Sequence, residues 1–328
     1  MSRPRIFVTQ PVAHSALERL RKVADVDFNQ DTAHIPSQEE LLAAVKSHDI
    51  LYCLLHDKVN AEVIAANSGL KAIASMKITP SDIDVTEATR RRIPVTVIPP
   101  IVTEATADLH MALLLAVARR VVEGDRLVRE GIFPGAQSAH LEGVMVTGKV
   151  LGLIGGGGRI ANAVARRARG FGMKLIYATP RRKPEAEQEL GMEYVALDRL
   201  LAEADFVSVH TPLTPETRHQ IGAREIDLMK PTAYLINTAR GPIIDESALA
   251  RTLVERRIAG AGLDVFEHEP KVDSRLVTLN NVVLTPHLGS AARELREVMA
   301  HVVVDNIIAV LEGRTPPNCW NREIYAAP

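Results

Sequence analysis

The sequence predicts an α/β fold made of two doubly wound parallel-sheet domains. Three observations carry that expectation. Short β-branched or apolar runs alternate with amphipathic helical stretches along the chain. The alternation begins a second time near Val150. A glycine-rich turn, Gly155-Gly-Gly-Gly158, stands where that second series passes from its first strand to its first helix, as in Rossmann-like folds. A length of 328 residues suits about two domains.

In chain order, Arg5–Gln10 is the first expected strand. His14–Ala24 follows as a helix, with Ala16, Leu17, Leu20, Val23 and Ala24 on one face. Ser37 and Glu40 have capping-box spacing and open the next helix. Ile50–Leu55, Lys71–Met76 and Pro94–Ile98 are further strands. One long helix is expected from Thr103 to about Val128. Leu109, Leu113, Leu114, Ala116 and Val117 make much of its girth apolar, which predicts burial between layers or domains. The second series has strands at Val150–Ile154, Leu175–Ala178, Phe206–His210, Ala233–Asn237, Gly262–Val265 and Val282–Thr285. Arg293–Glu312 is a closing helix that returns to the first domain. The expected domains are therefore 1–102 with 291–328, and 103–290.

Composition excludes several classes of function. Charged residues make up 24% and hydrophobic residues 46%, so the chain is not of disordered type. A net charge of −1 removes the electrostatic case for nucleic acid or an acidic membrane as main partner. The longest apolar run, Met111–Ala118, falls far short of the roughly 18 residues of a membrane span. Two cysteines, Cys53 and Cys319, make no disulfide framework, and a reduced, cytoplasmic setting is expected. No metal site is expected, because no His/Cys spacing set occurs.

Gly156-x-Gly158-x-x-Ala161 fits a dinucleotide fingerprint, and the helix starting at Arg159 and Ile160 would offer its amides to a pyrophosphate. An NAD-selective site should place an acid at the end of the second strand. Here that strand runs out through Thr179-Pro180-Arg181-Arg182-Lys183. A hydroxyl and two guanidinium groups, Thr179, Arg181 and Arg182, suit a ribose 2′-phosphate, so NADP(H) is expected over NAD(H).

Three polar clusters end later strands: Asn237–Gly241, Leu263–Pro270 and Thr285–Ser290. Ligands of such sheets bind outside the carboxyl ends of the strands. His287 can exchange a proton near neutral pH, and a neighbouring glutamate would orient it. Spacing does not choose between Glu267 and Glu269. Arg240 can clamp a carboxylate and polarise a carbonyl. With a nicotinamide, the trio performs reduction of a 2-oxo acid. His210 is expected on the adenine or ribose side.

These segments, with Thr103–Asp108, Gly148–Gly155 and His210–Arg218, resemble the D-isomer-specific 2-hydroxyacid dehydrogenase family over nearly the whole chain. The resemblance implies a flavodoxin-like substrate domain beside the NAD(P)-binding domain. It implies Arg240, Glu269 and His287 as the catalytic trio, and Asp264 as partner of the nicotinamide carboxamide. Thr106, Arg159, Ile160, His210, Thr211, Pro212, Thr238, Ala239 and Gly289 would line the cofactor. A homodimer built on the cofactor domain is implied too.

The chain departs from that pattern in places. The glycine turn is one residue longer, and Ala161 replaces a final glycine. The substrate loop, usually a short Val-Gly-like turn whose amides hold the substrate carboxylate, reads Ser75-Met-Lys77-Ile78-Thr79-Pro-Ser-Asp82. Pro80 offers no amide. Lys77, with Ile78 and Thr79, would then meet the acid, or point to solvent. Lys77 also gives weight to a second reading, a phosphite- or formate-type oxyanion dehydrogenase. A third reading is a nucleotide-sensing, corepressor-like binding protein. The expected substrate is a small 2-oxo or 2-hydroxy acid such as glyoxylate, hydroxypyruvate or a 2-keto sugar acid. No added regulatory domain is expected after the closing helix.

Overall fold

A computed structural model describes residues 3–326. The contacts divide the chain into two compact units, Met1–Ile101 with Ala291–Pro328, and Val102–Ser290.

The first unit contains, in order, β1 (Arg5–Val8), α1 (His14–Val23), β2 (Asp25–Phe28), α2 (Gln38–Ser47), β3 (Ile50–Cys53), α3 (Ala61–Ala65), β4 (Ala72–Ser75), α4 (Val85–Arg90) and β5 (Val95–Thr96). Its five strands pair in parallel in the order β2-β1-β3-β4-β5. Every residue of β3 and β4 is buried, as expected of central strands covered on both faces. The Ser37 capping box forms: its hydroxyl accepts from the Glu40 amide, and the Glu40 carboxylate accepts from the Ser37 amide.

The second unit begins with α5 (Thr103–Ala118) and α6 (Val121–Arg129). Then come β6 (Val150–Ile154), α7 (Arg159–Gly170), β7 (Lys174–Ala178), α8 (Pro184–Leu190), β8 (Glu193–Tyr194), α9 (Leu197–Glu203), β9 (Phe206–Val209), α10 (Ala223–Asp227), β10 (Tyr234–Asn237), α11 (Glu246–Val254), β11 (Gly260–Leu263) and β12 (Val282–Leu284). Seven parallel strands follow the order β12-β11-β10-β9-β6-β7-β8. Strand order reverses between β6 and β9, the switch point where open α/β sheets bind ligands. The last helix, α12 (Arg293–Leu311), belongs to the first unit and packs on α1 and β4.

The single helix expected from Thr103 to Val128 is two helices. Val144 N donates to Ala118 O, the carbonyl that a continuing helix would have used, and Arg120 adopts a left-handed φ of 52°. Only α5 is buried as expected; α6 has no buried residue. Two edge strands, β2 and β8, were not anticipated; both carry acidic residues and lie partly or wholly exposed, so neither shows an apolar run.

Candidate active site

The glycine turn sits at the end of β6. Gly155 and Gly157 take left-handed φ values of 84° and 82°, which side chains rarely adopt. A Cβ on Gly155 would meet the Thr211 amide at 2.8 Å, and one on Gly156 would strike the Tyr177 ring. Gly158 caps α7 without a side chain, and the first bond of that end runs from Asn162 N to Gly158 O. The amides of Arg159 and Ile160, in the first turn, therefore have no acceptor within the helix. Ala161 is fully buried. This bare, Cβ-free cradle with a helix N-terminus behind it fits a dinucleotide pyrophosphate.

The basic run after β7 is more ordered than an exposed turn. Arg182 makes two 2.8 Å hydrogen bonds to the carboxylate of Glu187. Tyr177 donates to that carboxylate at 2.7 Å and accepts from the Lys183 amide. The Lys183 side chain lies over the turn, where a Cβ on Gly157 would meet its Cγ. Thr179 is partly buried and its carbonyl accepts from Tyr194. Arg181 is exposed. The sequence offered Lys183 within its basic run, whereas nothing local marked Tyr177 or Glu187.

Farther along the same strand ends, β10 leads into Thr238, Ala239 and Arg240. The Asn237 side chain ties this turn, accepting from Ala239 N and donating to Arg240 O. The Arg240 side chain is exposed, with Nη1 2.6 Å from Ala239 O. After β11, Asp264 is almost fully buried, and both its oxygens hold the loop after β12. It accepts from Thr285 Oγ1 at 2.6 Å, Leu288 N at 2.7 Å and Gly289 N at 2.9 Å. Burial pushes the Asp264 carboxyl above the usual carboxylate range, against these three donors, which pull it down. Gly289 O in turn accepts from Thr106, in the first turn of α5.

That loop carries His287 at a left-handed φ of 55°, its amide donating to Asp264 O. Its Nδ1 lies 2.9 Å from Glu269 Oε2. Glu267 is used elsewhere, with Oε1 on Arg218 and His219. A hydrogen-bonded carboxylate–imidazole pair of this kind can orient a proton donor.

Behind β9 and β10 lies a buried polar chain. His210 meets Ser208, Ser208 meets His110 of α5, and His110 meets Thr238. Thr211 is buried nearby, and Pro212 O accepts from Thr217. His110 reads in the sequence as one more position on a buried helix.

In the other unit, the Lys77 ammonium is paired with Asp82, and its side chain is mostly buried. Lys77 therefore does not project into solvent. Ile78 after it is partly buried, and Thr79 is exposed.

The family model described as "D-isomer specific 2-hydroxyacid dehydrogenase, NAD binding domain" matches residues 111–289. A glyoxylate reductase of Thermococcus litoralis is 47% identical over 329 residues, covering 99% of each chain. A solved structure from Thermus thermophilus superposes with a TM-score of 0.89 at 43% identity, covering 96% of this chain and 99% of that one. A glyoxylate reductase structure from Paecilomyes thermophila gives 0.80 at 30% identity, covering 98% and 100%. The glycine cradle and the clustered strand ends thus stand in a chain that belongs to the D-isomer-specific 2-hydroxyacid dehydrogenase family and is an NAD(P)-dependent oxidoreductase.

Proposed function

We propose that the protein reduces a small 2-oxo acid of the glyoxylate or hydroxypyruvate class, with NADPH preferred over NADH. The observation that carries this is the His287–Glu269 pair, its loop held by Asp264, at the carboxyl ends of the same sheet that bears the glycine cradle. The glyoxylate reductase relatives support the substrate class.

When bound, the reduced nicotinamide supplies a hydride to the carbonyl carbon. Glu269 accepts from Nδ1–H of His287, which leaves Nε2 to carry the proton given to the carbonyl oxygen. Arg240 clamps the substrate carboxylate and polarises the carbonyl beside it. The α7 amides hold the pyrophosphate, and His210, Thr211 and Thr238 line the cofactor. Asp264 acts by holding the His287 loop and meets the carboxamide side of the nicotinamide.

Support for NADPH comes from Arg181, Arg182 and Lys183 and from the lack of an acid at the end of β7. An oxyanion substrate draws its weight from the Lys77 charge, and the Asp82 carboxylate beside that ammonium weakens the reading. We infer a homodimer through the second unit, because Val121, Val128, Phe133 and Met145 lie exposed on and after α6. A cytoplasmic setting accords with two free, buried cysteines. Among the described residues no helix is long and apolar enough to cross a membrane.

The test is NADPH and NADH oxidation, followed by absorbance, against glyoxylate, hydroxypyruvate, pyruvate and 2-ketogluconate. Faster NADPH oxidation with glyoxylate or hydroxypyruvate is expected. Equal or better use of NADH would overturn the cofactor preference. Turnover with none of the four acids would overturn the substrate class.

A further inference from the structure

His110 and Ser208 have no part in the chemistry above, yet they join two residues that do. Thr238 Oγ1 lies 2.9 Å from His110 Nδ1. Nε2 of the same ring lies 2.6 Å from Ser208 Oγ. Ser208 Oγ lies 2.6 Å from Nε2 of His210. The two imidazole rings lean together with centroids 4.8 Å apart. His110 and Ser208 are completely buried, and Thr238 nearly so.

Burial keeps both imidazoles neutral at neutral pH. It holds His110 well below the usual histidine range, with His210 adding to the effect, and lowers His210 to about 3. A neutral imidazole carries one proton, on Nδ1 or on Nε2. Ser208 also has one proton and faces an Nε2 on each side. It donates to one ring and accepts from the other. One histidine therefore holds its proton on Nε2 while the other holds it on Nδ1.

Two arrangements satisfy this count. In the first, the Thr238 hydroxyl donates to His110 Nδ1, His110 Nε2–H donates to Ser208, and Ser208 donates to His210. His210 then keeps its proton on Nδ1, away from Ser208. In the second, every bond runs the other way. His110 Nδ1–H donates to Thr238, whose own proton is left for another acceptor, and His210 Nδ1 becomes an acceptor. Passing from one to the other takes one proton in at one end and releases one at the other, so the number of bound protons stays constant.

We infer that His110 and Ser208 couple Thr238 and His210 into a reciprocal pair, in which only one of the two donates to a ligand at a time. An oxygen acceptor of the dinucleotide at Thr238 makes His210 an acceptor, and an acceptor at His210 makes Thr238 one. His110 is thus a positioning residue for the cofactor. The inference rests on the proposed reading of Thr238 and His210 as cofactor-lining.

The experiment uses the full chain labelled with 15N-histidine. Two-bond 1H–15N correlation spectra read the protonation of each ring nitrogen, with His110→Gln and His210→Asn assigning the signals. In the free protein the Nε2–H fractions of His110 and His210 should sum to one. NADPH should shift them by equal amounts in opposite directions. Ser208→Ala should abolish the equality. The same proton position dominating in both rings, shifts of the same sign with cofactor bound, or an imidazolium at pH 7 would overturn the coupling. NADPH fluorescence on the same samples separates the two ideas. Failure to bind NADPH overturns the cofactor reading, while the sum in the free protein still decides the coupling. If Ser208→Ala does not fold, the wild-type sum and its response to NADPH decide it.

Discussion

Glu269 Oε2 stands 2.9 Å from Nδ1 of His287, while its other oxygen accepts from Phe266 N at 3.0 Å. The backbone bond fixes the carboxylate, and the carboxylate fixes the ring. Glu269→Gln keeps the shape and replaces the carboxylate that faces Nδ1 with an amide, so the ring loses its charged acceptor. Turnover should fall by about a hundredfold, and by about a thousandfold in His287→Ala, the range for loss of an acid–base group. NADPH affinity, measured by fluorescence, should hold in both. Unchanged turnover in His287→Ala would defeat the assignment.

Glu187 already occupies Arg182, so it competes with a ribose phosphate for that guanidinium. Arg182 and Tyr177 hold the Glu187 carboxyl down at about 2. It therefore stays ionised from pH 5 to 9, and its effect on binding should be flat across that window. In Glu187→Gln the NADPH KM should fall about threefold with NADH unaffected, since the Arg182 end of the pair is exposed and screened. A rise in NADPH KM would mean that Glu187 positions Arg182 rather than competing for it.

Gly241 follows Arg240 where the chain passes close to the β11 loop. A Cβ there would lie 1.9 Å from the carbonyl of Phe266 and 2.5 Å from Glu267 N. Backbone cannot yield as a side chain can, so Gly241→Ala should cost about 2 to 4 kcal/mol in urea unfolding. It should also lower turnover in the protein that still folds, because the turn bearing Arg240 must shift. A fully stable, fully active variant would contradict this packing.

The His110–His210 chain should make the protein sensitive to acid. Both folded-state values are depressed, so the unfolded chain binds more protons below the ordinary histidine value of 6.5. Stability from this source is fully present above about pH 6.5 and is lost as pH falls toward His210's value of about 3. Each histidine contributes a slope of at most about 1.4 kcal/mol per pH unit. Urea unfolding at pH 7, 6 and 5 should show the decline, and His110→Phe should make it shallower. Equal slopes would contradict it.

Much of the architecture was legible locally. Strands such as Val150–Ile154 are continuous apolar runs, Ser37 and Glu40 are a cap by spacing alone, and four successive glycines announce a turn that side chains could not make. The edge strands β2 (Asp-Val-Asp-Phe) and β8 (Glu-Tyr) were not legible, because they are partly or wholly exposed and carry acidic residues where the other strands carry apolar runs. The break at Arg120 was hidden because the bond that causes it comes from Val144, beyond any helical window.

By itself the sequence determined the alternation of strand and helix, the dinucleotide turn and the chemical types at each strand end. Those are local properties, set by periodicity, by glycine's backbone freedom and by which groups can donate, accept or titrate. Spacing left Glu267 and Glu269 open and the family resemblance implied Glu269; the tertiary structure sets Glu269 against His287, turns Glu267 to Arg218, and alone decided that Arg182 is held by Glu187. It alone brought His110 to Ser208 and Thr238, across 98 and 128 residues of chain. Such pairings are made when strands take their places in a sheet, and side-chain direction at a loop is set by what packs around it rather than by its neighbours in sequence.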